Sequence, residues 1–332
     1  MPRVPPLALL ALLALAACGA RASEPAPRSP APATAPAADA ATAPAREPLS
    51  EASLAADLAW LTAPERAGRG STTAEARATA RWIAGELRAA GYAPIEQPIP
   101  DVPGQVNVIA ELAPAGPAPA VIVVAHYDHL GVRDGALHPG ADDNASGVAV
   151  ALAVARDLRK RPIPGQPGHA GPPDAPPPGR VIWLFSGAEE LGLRGARAFA
   201  AAPPLSLPLL LGDVRAVYNL DMVGRELAED GAPSLIAVGL PGAPGLSGVA
   251  YEAADQAGLT LLPVRAGLLS AARQGHRSDD WVFRDAGVPA VHFSTGPHDD
   301  YHSPGDTPDK VSRAQTLRVA RFLRALVERT AR

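Results

Sequence analysis

From residue 50 onward the chain alternates apolar runs with amphipathic ones. Behind Ser50, a residue suited to a helix N-cap, Leu54, Leu58 and Leu61 fall at helical spacing, which predicts a helix over Ser50–Leu61. Thr73–Ala90 repeats the pattern and is closed by Gly91, the residue that most easily turns out of a last helical turn. Further helices are predicted over Val148–Leu158, Ala196–Ala201, Ser247–Ala257 and Ser312–Thr330. Short, nearly unbroken apolar runs predict strands at Val106–Leu112, Ala120–Ala125, Val181–Phe185, Val214–Leu220, Ser234–Val238 and Val288–Phe293. Strands that are apolar almost throughout must be covered on both faces. Their alternation with helices predicts an α/β fold, a three-layer helix-sheet-helix with a mixed, mainly parallel central sheet. No internal repeat interrupts this pattern.

Ligands of such sheets gather at the carboxyl ends of the strands. The polar residues of this chain follow that rule. His126 and Asp128 follow AVIVVA, Glu189 and Glu190 follow VIWLFS, and Asp221 follows VRAVYNL. A further cluster, HPGADDNASG from His138 to Gly147, sets Asp142, Asp143 and Asn144 side by side ahead of an apolar helix. Adjacent carboxylates repel, and a core has no use for them, so a divalent cation is the expected partner. Imidazole and carboxylate donors without a thiolate suit zinc. His126, Asp143, Glu190 and Asp221 are the candidate ligands, with one more histidine from His276, His292, His298 or His302. His292 sits between Val291 and Phe293 inside a strand, where a hydrogen-bonded sheet histidine is the simpler reading. Asp128, two residues past His126 on extended backbone, points the same way and is expected to accept the other ring N–H of His126. Glu189 and Glu190 diverge, so one can bind metal while the other faces a substrate as general base. A pair of glutamates in a first helical turn is otherwise explained by the helix dipole, but that does not account for their place after a buried strand.

Composition adds limits. The chain has 332 residues, of which 47% are hydrophobic, enough for one large domain or two ordinary ones. A net charge of -4 without a basic stripe excludes nucleic acid as a natural partner. The 38 prolines gather at residues 25–48 and 162–178, so these segments are expected to be a tether and a loop insertion (162–179) rather than folded elements. Arg3, the apolar run Leu7–Ala17 and LAAC ending at Cys18 read as a signal peptide over 1–17. Its last residues resemble a bacterial lipoprotein box. Cys18 is the single cysteine, so no intramolecular disulfide can form. The expected organisation is a lipidated Cys18, a tether over 18–49 and a domain over 50–332. That places a monomeric protein in the cell envelope, facing the periplasm or exterior and touching the membrane only through its lipid; secretion is the alternative.

Taken together, HYDHLG, GADDNASG, SGAEELGLRGARAF, NLDMVG, SDDWVF and DYHSPGDTPDKV resemble, in order, the secreted and periplasmic zinc aminopeptidases of metallopeptidase family 28. The resemblance spans about residues 50–332 and implies the zinc exopeptidase fold and two Zn2+ ions. It assigns one ion to His126 and Asp221 and the other to Glu190 and His302, with Asp143 bridging them and a cis Asp143–Asn144 peptide. Glu189 is then the expected general base and Tyr301 a donor to the tetrahedral intermediate, with Asp128 behind His126. The implied substrates are peptides with a free N-terminus, and apolar residues such as Leu are the family-level expectation. One departure is Asp280, in SDDWVF, where the family often has histidine; His276 could compensate. Alternatives are a carboxypeptidase, dipeptidase or glutaminyl cyclase on the same fold, or a catalytically dead binding domain. The presence of all five ligands and the base argues against the last.

Overall fold

The computed structural model describes residues 48–114, 118–160, 179–204, 206–227, 232–266 and 277–331. The signal peptide, most of the tether, the 162–178 part of the insertion and His276 lie outside the described residues. The strands are β1 (Ile95–Pro98), β2 (Val106–Leu112), β3 (Ala120–His126), β4 (Gly131–Arg133), β5 (Ala136–His138), β6 (Arg180–Ser186), β7 (Val214–Leu220), β8 (Ser234–Val238), β9 (Thr260–Val264) and β10 (Ala290–Ser294). The helices are α1 (Glu51–Thr62), α2 (Ala74–Ala89), α3 (Gly147–Lys160), α4 (Arg194–Ala201), α5 (Pro244–Ala257), α6 (Asp280–Asp285) and α7 (Arg313–Thr330).

Among the described residues, eight strands form one sheet in the order β1-β2-β6-β3-β7-β10-β8-β9. The central neighbours β6, β3, β7 and β10 are parallel, whereas β2 joins β6 and β8 joins β10 antiparallel. Every residue of β3 is buried, as its unbroken apolar sequence requires. One sheet face packs on α1, α2, α3, α5 and α7, and the other on α4 and α6. Mixed order and two covered faces give the α/β three-layer architecture. Among the described residues no helix is long and apolar enough to cross a membrane.

Caps place the helices as their sequences suggest. Ser50, Thr73 and Ser312 each accept a backbone N–H from three residues on, at Ser53, Ala76 and Gln315. On α2 the buried residues Ala76, Ala80, Ile83, Ala84 and Leu87 recur at the spacing of one helix face.

Several elements were not foreseen. β1 and β9 are half-exposed edge strands, and β9 carries Pro263, which only an edge tolerates. The hairpin β4–β5 turns on Asp134 and Gly135, both at positive φ (52° and 77°), the geometry that Asp-Gly favours. α5 starts at Pro244, ahead of the predicted Ser247, because proline fits the first helical turn. Lys160 and Gly179, on either side of the undescribed insertion, lie at the end of α3 and the start of β6, away from the carboxyl ends of the central strands.

Candidate metal centre

The parallel strands converge their polar residues at one end of the sheet. His126 closes β3, Glu189 and Glu190 follow β6, and Asp221 follows β7. The DYHSPGD loop brings His302 from the far end of the chain. Asp143 enters from the turn before α3, across a cis Asp143–Asn144 peptide. This turn needs its glycines. Gly140 has φ +57°, and a Cβ there would come within 2.5 Å of the His129 ring. At Gly147 a Cβ would meet Leu220 O at 2.7 Å, so the helix start sits directly against the end of β7.

Two groups of donor atoms result. In the first, His126 Nε2 lies 3.3 Å from Asp143 Oδ1 and 3.3 Å from Asp221 Oδ1. In the second, His302 Nε2 lies 3.1 Å from Asp143 Oδ2 and 3.3 Å from Glu190 Oε2. Asp143 thus presents one oxygen to each group. Donors held tetrahedrally at about 2.0–2.1 Å from a zinc ion stand about 3.3 Å apart, so both groups fit that ion without rearrangement. Nitrogen and carboxylate donors with no sulfur agree with the same choice. The five residues that the resemblance names as ligands are brought together, and so is a sixth, His129, which the motif reading passed over.

The surrounding hydrogen bonds orient these donors. Ser278 Oγ donates to Asp221 Oδ2 at 2.6 Å, leaving Oδ1 for the His126 side. Asn219 Nδ2 donates in turn to Ser278 Oγ at 2.6 Å. Asp128 departs from expectation. Its carboxylate is 3.9 Å from His126 Nδ1, beyond hydrogen-bond reach, and its backbone carbonyl approaches that nitrogen instead, at 3.2 Å. The strand ends at His126, so the alternation of side chains that aligns residues two apart no longer holds at Asp128. The Asp128 carboxylate instead accepts from Ser71 Oγ at 2.5 Å and from the backbone N–H of Glu189 at 3.0 Å. It therefore holds the turn that separates the two glutamates.

Asp142 and Asp143 divide as the motif suggests. Asp142 turns away, accepts the Gly224 N–H at 2.6 Å and faces His298 at 3.4 Å. His292 Nδ1 lies 2.9 Å from Asn219 Nδ2, and burial lowers its pKa to about 4. It is a neutral sheet histidine on the cavity wall. Tyr301 stacks on the His302 ring at 3.9 Å.

Charge is strongly perturbed throughout, as in a functional centre. Burial raises the Glu190 carboxyl, but hydrogen bonds from His129 and His302 outweigh it and bring it to about 2. Asp143 goes well below the carboxylate range: burial opposes this, and His129, His126 and His302 overcome it. Glu189 goes the other way. Burial, partly offset by His126 and reinforced by Asp279, Asp221 and Glu190, holds its carboxyl well above the ordinary range. Neighbouring glutamates thus have opposite proton affinities, one suited to a cation and the other to a proton.

A cavity of about 330 Å³ opens beside this cluster. Glu189, Asp221, Tyr301 and His302 line its near end, and Met222, Ile236, Val238 and Trp281 its apolar wall. Asp280 and Arg284 lie in contact on the same wall.

The profile of peptidase family M28 matches residues 107–327. Aminopeptidase YwaD of Bacillus subtilis (strain 168) is 29% identical over 218 residues, 62% of this chain. The match covers only 40% of that relative's length. Among solved structures, the zinc aminopeptidase BSAP from Bacillus subtilis superposes with a TM-score of 0.66 at 17% identity, over 85% of this chain and 95% of its own. The glutaminyl cyclase of Porphyromonas gingivalis gives 0.61 at 20% identity, over 86% and 99%. These two likenesses establish the fold, and the profile match over most of the described domain establishes the kinship: the chain belongs to peptidase family M28.

Proposed function

We propose that the chain is a zinc-dependent aminopeptidase that hydrolyses N-terminal residues from peptides. Two Zn2+ ions are held, one by His126 and Asp221 and the other by Glu190 and His302, with Asp143 shared. The observation that carries this reading is the division of labour between neighbours: Glu189 lines the cavity while Glu190 turns into the donor cluster. Bound zinc supplies polarisation of the scissile carbonyl and acidification of an attacking water. Glu189, which lines the cavity beside the donor cluster, takes the proton of that water and passes it to the leaving amine. Tyr301, which lines the cavity beside His302, donates to the oxyanion. The cavity wall of Met222, Ile236, Val238 and Trp281 receives the side chain of the N-terminal residue. Asp128 acts through the Glu189 N–H rather than on the reacting atoms.

The test is release of p-nitroaniline from aminoacyl p-nitroanilides by the purified protein, with and without chelator. Chelator-sensitive release is expected, and its absence would overturn the proposal. Glu189→Gln should keep its zinc and lose about 10²–10⁴-fold in turnover. Cyclisation of N-terminal glutamine without hydrolysis would favour the cyclase reading instead. We further propose that the domain is tethered to the cell envelope through a lipid on Cys18. The support is the LAAC segment after an apolar run and the Pro-rich stretch that follows. Cys18→Ser should move the protein from the membrane fraction to the soluble one.

A further inference from the structure

His129 is the one member of the donor cluster to which the resemblance gives no role. It lies on the loop after β3, fully buried. Its Nδ1 is 2.9 Å from Glu190 Oε1 and 3.8 Å from Asp143 Oδ2. Its ring is packed against Gly140 and stands edge-on to the His302 ring at 5.7 Å. Nε2, on the far side, has no hydrogen-bond partner among the described residues.

We propose that His129 is a positioning residue: its Nδ1–H donates to Glu190 Oε1, so that Glu190 presents Oε2 alone to the cation beside His302. The proposal rests on the zinc reading above. Two observations distinguish it from a sixth ligand. The first is distance. The donors facing one another across each site stand 3.1–3.3 Å apart. Nδ1 to Oε1 is at ordinary N–H···O length, and Nδ1 to Asp143 is longer than the zinc geometry requires. The second is the proton. A ligating Nδ1 must present its lone pair, which sends the ring proton to Nε2, where no acceptor waits. A buried N–H without a partner is costly. On Nδ1 the same proton makes a charge-assisted bond to a carboxylate. Partners of this kind commonly tune metal affinity by about 10–100-fold.

The experiment compares His129→Asn and His129→Leu in the full chain. The Asn side-chain NH2 stands where Nδ1 does and can donate, but it is a poor zinc ligand; Leu can do neither. Zinc is titrated into the metal-free protein against a chromophoric chelator. Leu should lose about 10–100-fold in affinity at one of the two sites, and Asn should restore most of it. Cobalt-substituted wild type and His129→Asn should show the same visible bands. Asn losing as much as Leu, Leu binding like wild type, or cobalt bands that change in His129→Asn would each overturn the proposal. If Leu unfolds the metal-free chain, the cobalt spectrum of the Asn variant still decides. No turnover enters these measurements. Failure of the aminopeptidase reading would therefore appear as missing hydrolysis with zinc bound, separately from the fate of His129.

Discussion

Asp306 accepts the backbone N–H of Asp143 at 3.0 Å, so the loop that delivers His302 also holds the peptide that carries the shared carboxylate. The same carboxylate accepts the N–H of Asp142, with Oδ1 and Oδ2 at 3.1 and 3.0 Å, and pairs with Arg225 at 3.3 Å. Asp306 is fully buried, so these donors have no water to replace it. Asp306→Ala leaves two buried amides without their acceptor and Arg225 with Asp300 alone, at 3.1 Å. The expected cost is about 3–5 kcal/mol, the range for breaking a buried charge pair from one side. Asp306→Asn keeps one acceptor oxygen and should lose less. Urea unfolding of the metal-free protein measures both, and equal losses would show that the one acceptor oxygen kept by Asn holds nothing without the full carboxylate.

Arg69 stabilises the same region from the other side. Its guanidinium is fully buried and donates to the carbonyls of Tyr127, Leu61, Pro139 and Gly140, each at 2.8 Å. It joins the loop after β3, which carries Asp128 and His129, to the residues just before Asp143. Each orphaned carbonyl costs about 1–3 kcal/mol, so Arg69→Met should destabilise by more than about 4 kcal/mol. Arg69→Lys should not rescue it, because an ammonium cannot span four acceptors as a planar fork does. A lysine variant with wild-type urea midpoint would contradict this.

These two residues mark what the sequence hides. The donors at the ends of β3, β6 and β7 were legible because a carboxylate after a buried strand has no structural use. HPGADDNASG was legible because neighbouring acids need a cation. Arg69 and Asp306 bond to backbone, which any sequence provides, so nothing in their own surroundings points to their partners. His129 was masked by the better-known residues beside it, although a second histidine in HYDHLG was a signal. The role expected for Asp128 assumed a strand that continues past His126. The β4–β5 hairpin carried its Asp-Gly signal openly, but two three-residue strands are too short for periodicity to register.

Metal-free protein should become less stable as pH rises from about 6.5 to about 9. Burial alone would lower the His302 pKa, yet hydrogen bonds to Asp143 and Glu190 raise it from 6.5 to about 9. Its folded value exceeds its unfolded value. The stabilisation is therefore complete below the unfolded pKa and disappears as pH passes the folded one. His302→Gln should reduce that slope in thermal melts recorded with chelator, while His126, which against burial its carboxylate neighbours also hold above the ordinary range, keeps part of it. Zinc must displace the same proton, so its affinity should climb across the same window. A wild-type melting temperature that is level between these limits would refute the assignment.

On the aminopeptidase reading, Asp280 bears on which N-terminal residues are accepted. It starts α6, and its carboxylate contacts Arg284 one turn on while Asn219 Nδ2 donates to it at 3.3 Å. It is nearly inaccessible, so it cannot serve as a counter-charge for a substrate amine. Arg277, stacked on Trp281 at 4.3 Å, adds a second cation to the same cavity wall. Away from the metal cluster, among the described residues, two guanidinium groups then face one carboxylate and a neutral His292. A lysine side chain entering this cavity meets apolar groups and excess positive charge. Leucyl p-nitroanilide should exceed the lysyl substrate in kcat/KM by more than about tenfold, or 1.4 kcal/mol. Asp280→Asn leaves Arg284 without its partner, in a setting where burial already brings its pKa down to about 10. That variant should gain on glutamyl relative to leucyl substrate, because a carboxylate from the substrate can take the place of the lost one. An unchanged glutamyl-to-leucyl ratio would mean that Arg284 does not reach the side chain of the bound residue, and that selectivity rests on the apolar wall of Met222, Ile236, Val238 and Trp281.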